Sequence, residues 1–148
     1  MRKDRLFFQT LFSFLACLIP LILGGVFYSA LPDEMAVHWN MEGVANGYSS
    51  KPFAVFGIPC LMILVHGVVL ASLRLDPKRE GHPRAMLLIT TWVIPVISLF
   101  VQIMVIYQNL GGGVEIQTFL PSILGLIFLI VGNYLPKCRQ NYTVGIKL

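Results

Sequence analysis

The sequence predicts an all-α, polytopic membrane protein with four transmembrane helices and both termini in the cytoplasm. Hydrophobic residues make up 56% of the 148 residues and charged residues only 12%, whereas an ordinary soluble domain has roughly 25% charged residues. The apolar residues are also gathered into four runs, each close to the roughly 20 residues that cross a hydrocarbon core. These two observations together exclude an ordinary soluble domain.

The four predicted spans form a single membrane domain over residues 1–148. Their approximate bounds are 6–30, 53–73, 86–110 and 119–137. The first resembles a secretory signal because basic residues precede it, but its apolar run is longer than that of a signal, and the bulky Tyr28 lies where cleavage needs a small side chain. We therefore expect this helix to be retained in the protein.

Each predicted span has a proline within its apolar run, namely Pro20, Pro59, Pro95 and Pro121. We expect the first three to remove an interior hydrogen bond and kink their helices, because proline has no N–H. Pro121 is expected in the first turn of its helix, where that N–H is not needed.

The distribution of basic residues predicts the orientation, because Lys and Arg near span ends favour the cytoplasm. With the N-terminus inside, ten of the eleven Lys and Arg residues lie on the cytoplasmic side and only Lys51 lies outside. Residues 31–52 then form the first outer loop. Basic residues scattered beside the spans are expected to contact anionic lipid, and no direct contact with nucleic acid is predicted.

The outer loop, LPDEMAVHWNMEGVANGYSSK, is longer than two antiparallel helices need for a connection. It carries aromatic and hydrogen-bonding side chains with glycines that shape the backbone, a combination that suits a surface for a peptide or small ligand. The candidate ligand-binding residues are His38, Trp39, Asn40, Gly43, Gly47 and Tyr48. The alternative is an interfacial cap, with the aromatic rings at the level of the lipid headgroups.

An enzyme with a metal site is a further alternative for this loop. Glu34 and Glu42 each lie four residues from His38 and would share its face if the loop were helical. Gly43 and Gly47 argue against a long helix, and no catalytic motif or paired-cysteine motif is present. The odd number of cysteines implies no disulfide framework. We predict no catalytic residue, no cofactor and no bound metal.

Polar residues in the cytoplasmic half of the spans form a predicted inner polar layer. Their structural role would be to join helices or to bond to the backbone of their own helix. Their alternative, functional role would be to form a polar path, which would suit a transporter or channel-like subunit. We expect His66 to be neutral and hydrogen-bonded, since no carboxylate lies within the spans. The layer comprises Gln9, Thr10, Ser13, His66, Thr90, Thr91 and Asn133.

Two sets of residues resemble one known family. Leu31-Pro32, His38-Trp39-Asn40, Gly43 and Gly47-Tyr48-Ser49-Ser50-Lys51 resemble the N-terminal domain of uncharacterised function in bacterial membrane proteins of the SdpI immunity family. The second set resembles the start of that family's C-terminal region and comprises Gly132, Asn133, Tyr134, Leu135, Pro136, Asn141, Tyr142, Gly145 and Ile146.

The resemblance implies a multi-pass protein of the bacterial cytoplasmic membrane that protects its host from a secreted toxin peptide. It also implies a sensing role, in which a cytosolic ArsR-like repressor is held at the membrane when toxin is present. Family members usually continue through a Pro-Trp-Thr motif into further spans. The predicted function is therefore immunity or sensing by binding, with a small transporter and a metal-dependent enzyme at the membrane surface as alternatives.

Overall fold

The computed structural model describes residues 2–76, 83–113 and 115–134, and over these residues the chain is mostly helical with one β-hairpin. The five α-helices are α1 (Arg2–Ala16), α2 (Ile19–Phe27), α3 (Ile58–Leu75), α4 (Arg84–Asn109) and α5 (Ile116–Tyr134). The hairpin consists of β1 (Glu34–Trp39) and β2 (Ala45–Ser50), while Tyr28–Ala30 forms a 3₁₀ turn and Phe53–Gly57 a π-helical turn.

Three helical stretches are long and apolar enough to cross a membrane, namely Phe7–Ala30, Phe53–Leu75 and Arg84–Asn109. Their bounds lie within two residues of the first three predicted spans. The fourth apolar stretch, Thr118–Tyr134, is shorter, and the predicted end of that span at residue 137 lies outside the described residues. The helices are those of a membrane protein, with three of spanning length.

The prediction of an all-α fold is wrong for residues 31–52, because this segment contains an antiparallel two-stranded sheet. Apolar and polar side chains alternate along β1, so one face of the strand is apolar. Met35 on this face is buried, whereas the neighbouring Glu34 and His38 are exposed. The segment is a folded element rather than an irregular connection.

Five residues, 40–44, connect the two strands. The Asn40 N–H donates to the Val44 carbonyl at 3.0 Å, and this bond closes a loop of three residues. The Gly43 N–H donates to the Asn40 carbonyl at 3.0 Å, and Gly43 has a φ of 76°. The Val44 N–H donates to Asn40 Oδ1 at 2.8 Å. A turn that ends with glycine in the left-handed region is a common hairpin connection, and it explains why asparagine and glycine occur at these two positions.

The first predicted span is divided into two helices. Helix α1 ends at Ala16, Cys17 and Leu18 form a turn, and Pro20 lies in the first turn of α2. This position suits proline because the first N–H groups of a helix have no intrahelical acceptor. The expected kink therefore takes the form of a break before Pro20.

The other prolines differ in their surroundings. Pro59 follows the π-helical turn, in which the Ile58 N–H donates to the Phe53 carbonyl. Pro95 lies inside a continuous α4. The first-turn position predicted for Pro121 is wrong, because α5 begins at Ile116 and Pro121 lies more than one turn inside it.

Helix α4 is the centre of the packing, since it contacts α1, α2, α3, α5 and β1. We call the end of the bundle that carries β1 and β2 the hairpin end, and the end that carries Arg74 and Arg84 the basic end. The buried core lies at the hairpin end and consists of Leu31, Met35, Ala54, Val55, Val105 and Ile106.

Candidate functional site

The hairpin is held against the helices by the apolar face of β1. Met35 is fully buried in the core formed with α4 and the π-helical turn. Val37 and Trp39 are half-buried and pack against the same core. Burying a side chain of this size stabilises the packed state by about 1.5–3 kcal/mol, so Met35 anchors the strand strongly.

A second attachment joins the backbone of β1 to the side chain of Asn109. The Ala36 N–H donates to Asn109 Oδ1 at 2.8 Å, and Asn109 Nδ2 donates to the Ala36 carbonyl at 2.9 Å. The same amide nitrogen also donates to the Val105 carbonyl at 2.8 Å. The Asn109 amide thus pairs with Ala36 as the peptide group of a neighbouring strand would.

The end of α4 fixes where Asn109 lies. Gly111 has a φ of 87°, and its N–H donates to the Gln108 carbonyl at 3.1 Å. The Gly112 N–H donates to the Tyr107 carbonyl at 2.9 Å. These are the two bonds of a Schellman motif, for which glycine is favoured because the left-handed conformation strains other residues. Asn109 is therefore in the last helical turn, beside β1.

A third attachment closes the base of the hairpin. The Lys51 N–H donates to the Asp33 carbonyl at 2.9 Å, and Lys51 Nζ lies 3.0 Å from Asp33 Oδ1. Lys51 Nζ also lies 5.2 Å from the centroid of the Tyr28 ring, which stacks on Phe56 at 5.5 Å. The Asp33 side chain is fully exposed, so its ion pair contributes little, and the mostly buried Lys51 is held chiefly by the backbone bond and the ring.

The face of the hairpin directed away from the core is polar and exposed. His38 Nδ1 lies 2.6 Å from Asn46 Oδ1, and because this oxygen only accepts, the histidine nitrogen donates. Tyr48 is 58% exposed and its hydroxyl reaches the Ala45 carbonyl at 3.4 Å. Glu34 and Ser50 complete this outward face. It offers hydrogen-bonding groups and one aromatic ring to solvent.

Gly47 gives room for His38 on the facing strand. A Cβ atom at Gly47 would lie 2.8 Å from His38 Cβ, closer than two such atoms can approach. The register shifts on both sides of His38 coincide with this close pairing. Glycine is therefore required here by a steric contact.

The structure separates the six predicted ligand-binding residues by role. His38 and Tyr48 lie on the outward face, whereas Trp39 packs toward the core. Asn40 and Gly43 form the turn, and Gly47 accommodates His38. The residues thus form a surface together with its supporting backbone, and ligand binding by them stays a prediction.

The metal hypothesis depended on a helical loop, and the loop is a hairpin instead. Glu34 and His38 lie on β1, Glu42 lies in the turn, and His38 Nδ1 is bonded to Asn46. Across the described residues, no three His, Cys, Asp or Glu side chains are grouped so that they could hold a metal ion. The spacing argument for a metal site is therefore lost.

Two residues of the predicted inner polar layer join helices. Ser13 Oγ donates to the Thr10 carbonyl at 2.9 Å, so the contact of 3.1 Å between Ser13 Oγ and His66 Nε2 has the histidine as donor. His66 is completely buried, and its Nδ1 has no hydrogen-bond partner within the described part of the chain. Ser13 and His66 link α1 to α3.

The other members of the layer have local roles or lie apart from this pair. Thr90 Oγ1 donates to the Met86 carbonyl at 2.9 Å, and Thr91 Oγ1 donates to the Leu87 carbonyl at 2.7 Å. Asn133 lies near the end of α5 and is exposed. The two threonines thus follow the self-bonding alternative considered for this layer.

Two cavities lie between helices at the basic end. One has a volume of about 10 Å³, and its lining includes Gln9 and Thr91. The other is an open, mostly apolar groove of about 510 Å³ between α1 and α3. We call it the α1–α3 groove, and it is lined by Phe7, Thr10, Leu11, Phe14, Gly67, Leu70, Ala71, Arg74 and Leu75.

Sequence reasoning missed the residues that hold the hairpin in place. Asn109 was overlooked, although a polar residue in the last turn before three glycines is a recognisable signal. Asn46 was overlooked because its importance depends on its pairing with His38.

Comparison with known proteins gives one match. A domain of unknown function, DUF1648, matches residues 15–63, which include α2, the hairpin and the beginning of α3. No curated protein and no solved structure matches the chain. Of the predicted C-terminal signature, Gly132, Asn133 and Tyr134 end α5, and the remaining residues, Leu135, Pro136, Asn141, Tyr142, Gly145 and Ile146, lie outside the described residues. The hairpin and α2 thus lie within one recognised domain, which ends inside α3.

Proposed function

We propose that this chain is a membrane-embedded binding protein that senses, or gives immunity to, a secreted antimicrobial peptide, and that the hairpin receives the peptide. The observation that carries the proposal is the threefold attachment of the hairpin through Met35, Asn109 and Lys51. A simple connection between two helices needs none of these attachments. A fixed surface loses less conformational freedom when it binds a partner.

The proposed orientation places the hairpin outside the cytoplasmic membrane of a bacterium. Arg74 and Arg84 lie at the end of the bundle opposite the hairpin, and the sequence predicts most of the other basic residues on the cytoplasmic side. Such residues favour the cytoplasmic side. The outward face of the hairpin then meets the medium from which a secreted peptide arrives.

The proposed mechanism is recognition without covalent chemistry. The His38–Asn46 pair and the Tyr48 ring supply polar and aromatic contacts, while the turn at Asn40 and Gly43 holds the two strands in register. The bilayer surrounds the apolar helices. A cytosolic ArsR-like repressor is the proposed partner for a signal, and segments 74–85 and 136–148 are the parts of the chain that would face it.

The proposal is tested by survival of a toxin-sensitive host that expresses the chain. His38→Ala and Tyr48→Ala should each weaken protection without lowering the amount of protein in the membrane, because both side chains are exposed. Phe128→Ala is the matched control, since it removes an aromatic ring that is 72% exposed on α5. Full protection by both hairpin variants would leave the hairpin as an interfacial cap.

The orientation is tested separately by labelling with a membrane-impermeant thiol reagent. In a variant whose three native cysteines are replaced by alanine, cysteine introduced at Asn46 should be labelled in intact cells. Cysteine introduced at Glu80 should be labelled only after the cells are opened. Labelling at Glu80 in sealed cells would reverse the proposed orientation.

A transport function is the second candidate, and one observation favours it. The buried His66 Nδ1 has no partner among the described residues, and unpaired polar groups within a membrane occur along ion and proton paths. His66→Gln keeps hydrogen-bonding groups but removes the titrating ring. Protection that survives this substitution supports binding, whereas protection that is abolished in normally inserted protein supports transport.

A further inference from the structure

The hairpin has one edge that is open and one that is already occupied at its centre. Asn109 covers the outer edge of β1 by bonding both the N–H and the carbonyl of Ala36. Within the described part of the chain the sheet has only two strands, so no third strand lies beside β2. We propose that β2 receives an extended cationic peptide as an additional strand. This inference rests on the proposed function and specifies how the peptide binds.

The register shows which backbone groups point out of the open edge. Ala36 faces Tyr48 across the ladder, and the Ala36 groups point away from β2 toward Asn109. Facing residues of an antiparallel pair either exchange both hydrogen bonds or exchange neither. Since Ala36 and Tyr48 exchange neither, the N–H and carbonyl of Tyr48 point away from β1, toward the open edge.

The alternation of the ladder gives Ser50 the same property. Glu34 faces Ser50, two positions from the Ala36 and Tyr48 pair, so this pair also exchanges no bonds. The bond from the Lys51 N–H to the Asp33 carbonyl at 2.9 Å occurs one position farther, where the pattern requires it. Tyr48 and Ser50 therefore present two N–H groups and two carbonyls at the spacing of a strand.

The sequence of β2 does not protect this edge. Edge strands usually carry charged residues, especially lysine, or proline, which prevent pairing with another chain. The segment Ala45–Ser50, with sequence ANGYSS, contains none of these. Asn46, Tyr48 and Ser50 are exposed, so an incoming strand can approach this side of the hairpin. An unprotected edge of this kind is the surface that proteins use to bind peptides by strand addition.

The charge of the hairpin specifies the occupant. Glu34 and Glu42 are exposed, Asp33 is fully exposed, and the Lys51 side chain is only 12% exposed. These carboxylates attract a cationic peptide and increase its rate of association. A second copy of this chain would bring the same carboxylates to the edge, so like charges oppose its pairing there.

The two faces of the sheet specify the pattern of the peptide. Side chains on one face of an added strand lie beside Tyr48, and those on the other face continue the side that carries Met35 and faces the core. Basic or polar residues suit the first face and apolar residues the second. The expected ligand is an extended segment in which apolar and basic residues alternate.

The experiment uses the full chain in nanodiscs of zwitterionic lipid and a short synthetic peptide in which valine and lysine alternate. A second peptide carries N-methyl groups on two successive central residues, which removes one donor from each of its edges. We expect the dissociation constant to rise about tenfold for the methylated peptide, because each lost hydrogen bond weakens binding severalfold. Equal binding of both peptides to the native chain would overturn the proposal.

A pair of variants tests the edge from the side of the protein. Ser50→Pro removes an N–H that points to the open edge and leaves the ladder with β1 intact, and Ser49 before it is already in the extended conformation that precedes proline. Ser50→Ala keeps that N–H and is the matched control. We expect about tenfold weaker binding for Ser50→Pro and a change of less than about twofold for Ser50→Ala.

Further outcomes separate this inference from the proposed function. If Tyr48→Cys, in a variant whose native cysteines are replaced by alanine, cross-links two copies of the chain in the absence of peptide, the edge belongs to a second copy and the inference fails. If Ser50→Pro protects the host as well as the native chain does, the inference fails while the proposed function stands. If the native chain binds the unmethylated peptide at this edge but protects no host, the inference stands and the proposed function fails.

Discussion

The hairpin end and the basic end of the bundle differ in how closely their helices pack. At the hairpin end, a Cβ atom on the buried Gly24 of α2 would lie 2.6 Å from Val55 Cγ1 and 3.1 Å from the Val55 carbonyl oxygen, whereas one on the exposed Gly25 would meet nothing within 4 Å, so the inward side of α2 is closely packed. At the basic end, a Cβ atom on Gly67 of α3 would meet nothing within 4 Å, and the α1–α3 groove of about 510 Å³ lies beside it.

The closely packed end is the one that carries the proposed binding surface, and the loosely packed end is the opposite one. The closely packed end holds a hairpin in one position through a buried side chain and a pair of backbone hydrogen bonds. The loosely packed end leaves the small residues Gly67 and Ala71 along a groove, where the backbone is open to close approach by lipid or by another helix. Stability is therefore expected to depend on substitutions at the hairpin end far more than on those at the basic end.

The largest effect is expected for Met35→Ala. Met35 is fully buried beneath the hairpin, and removing such a side chain costs about 2–5 kcal/mol in the free energy of unfolding. Met41 in the turn is 91% exposed, so Met41→Ala is the matched control and should change this free energy by less than about 0.5 kcal/mol. Denaturant titration in mixed micelles measures both values, and equal values would show that β1 is not anchored by its apolar face.

The next effect is expected for Asn109→Leu, which keeps a similar volume but removes the amide. Ala36 then loses partners for its N–H and its carbonyl, both of which lie in a partly buried contact. Each unsatisfied group costs about 1–3 kcal/mol when it is buried. Because this contact is only partly buried, we expect the lower part of that range for each group and a total loss of about 2–4 kcal/mol. Asn133→Leu is the control, because Asn133 is exposed on α5.

Hydrogen exchange gives a local test of the same contact. The Ala36 amide should lose protection in Asn109→Leu and keep it in Asn133→Leu. Unchanged protection in Asn109→Leu would mean that the hairpin is held without the side-chain amide, and the strand-like role assigned to Asn109 would be wrong.

The spans could be predicted from the sequence because their signal is local. A run of apolar residues is sufficient to indicate a membrane helix, and the bounds of α3 with its π-helical turn and of α4 follow the runs closely. The hairpin was missed, although Met35, Val37 and Trp39 alternate with other residues along β1. Six residues are a short signal, and the loop has three residues instead of the two that give the strongest sequence pattern for a hairpin.

The attachment of the hairpin could not be predicted, because it depends on contacts between distant residues. Asn109 and Ala36 are separated by 73 positions, and nothing near Asn109 in the sequence indicates its partner. The Asn46-Gly47 dipeptide also favours a turn at a position where the structure has a strand with a register shift. The residue types of the site were thus recognisable from the sequence, whereas their division into outward face, inward face and turn was not.

Glycine substitutions compare the two ends directly. Gly24→Ala should destabilise the protein by about 1–3 kcal/mol, because the added Cβ overpacks against Val55 and its carbonyl. Gly67→Ala should stabilise it by about 0.5–1 kcal/mol, since alanine reduces the backbone freedom lost in a helix and has open space around it. The same titration in mixed micelles gives both changes. If the two substitutions change the free energy of unfolding by the same amount and in the same direction, the two ends do not differ in packing.

The smallest loss of stability is expected when the hydrogen bond between α1 and α3 is removed. Ser13→Ala removes the acceptor for His66 Nε2, which lies 3.1 Å from Ser13 Oγ, and hydrogen bonds between membrane helices contribute about 0.6 kcal/mol on average and up to about 1.7 kcal/mol. We expect a loss near the upper value, because the buried His66 already has no partner at Nδ1 within the described residues and would then lack one at both ring nitrogens. Thr91→Val is the control, since Thr91 Oγ1 bonds only to a carbonyl of its own helix among the contacts described. If Thr91→Val costs as much as Ser13→Ala, the contact between Ser13 and His66 adds nothing specific, and the helices at this depth are held by apolar packing instead.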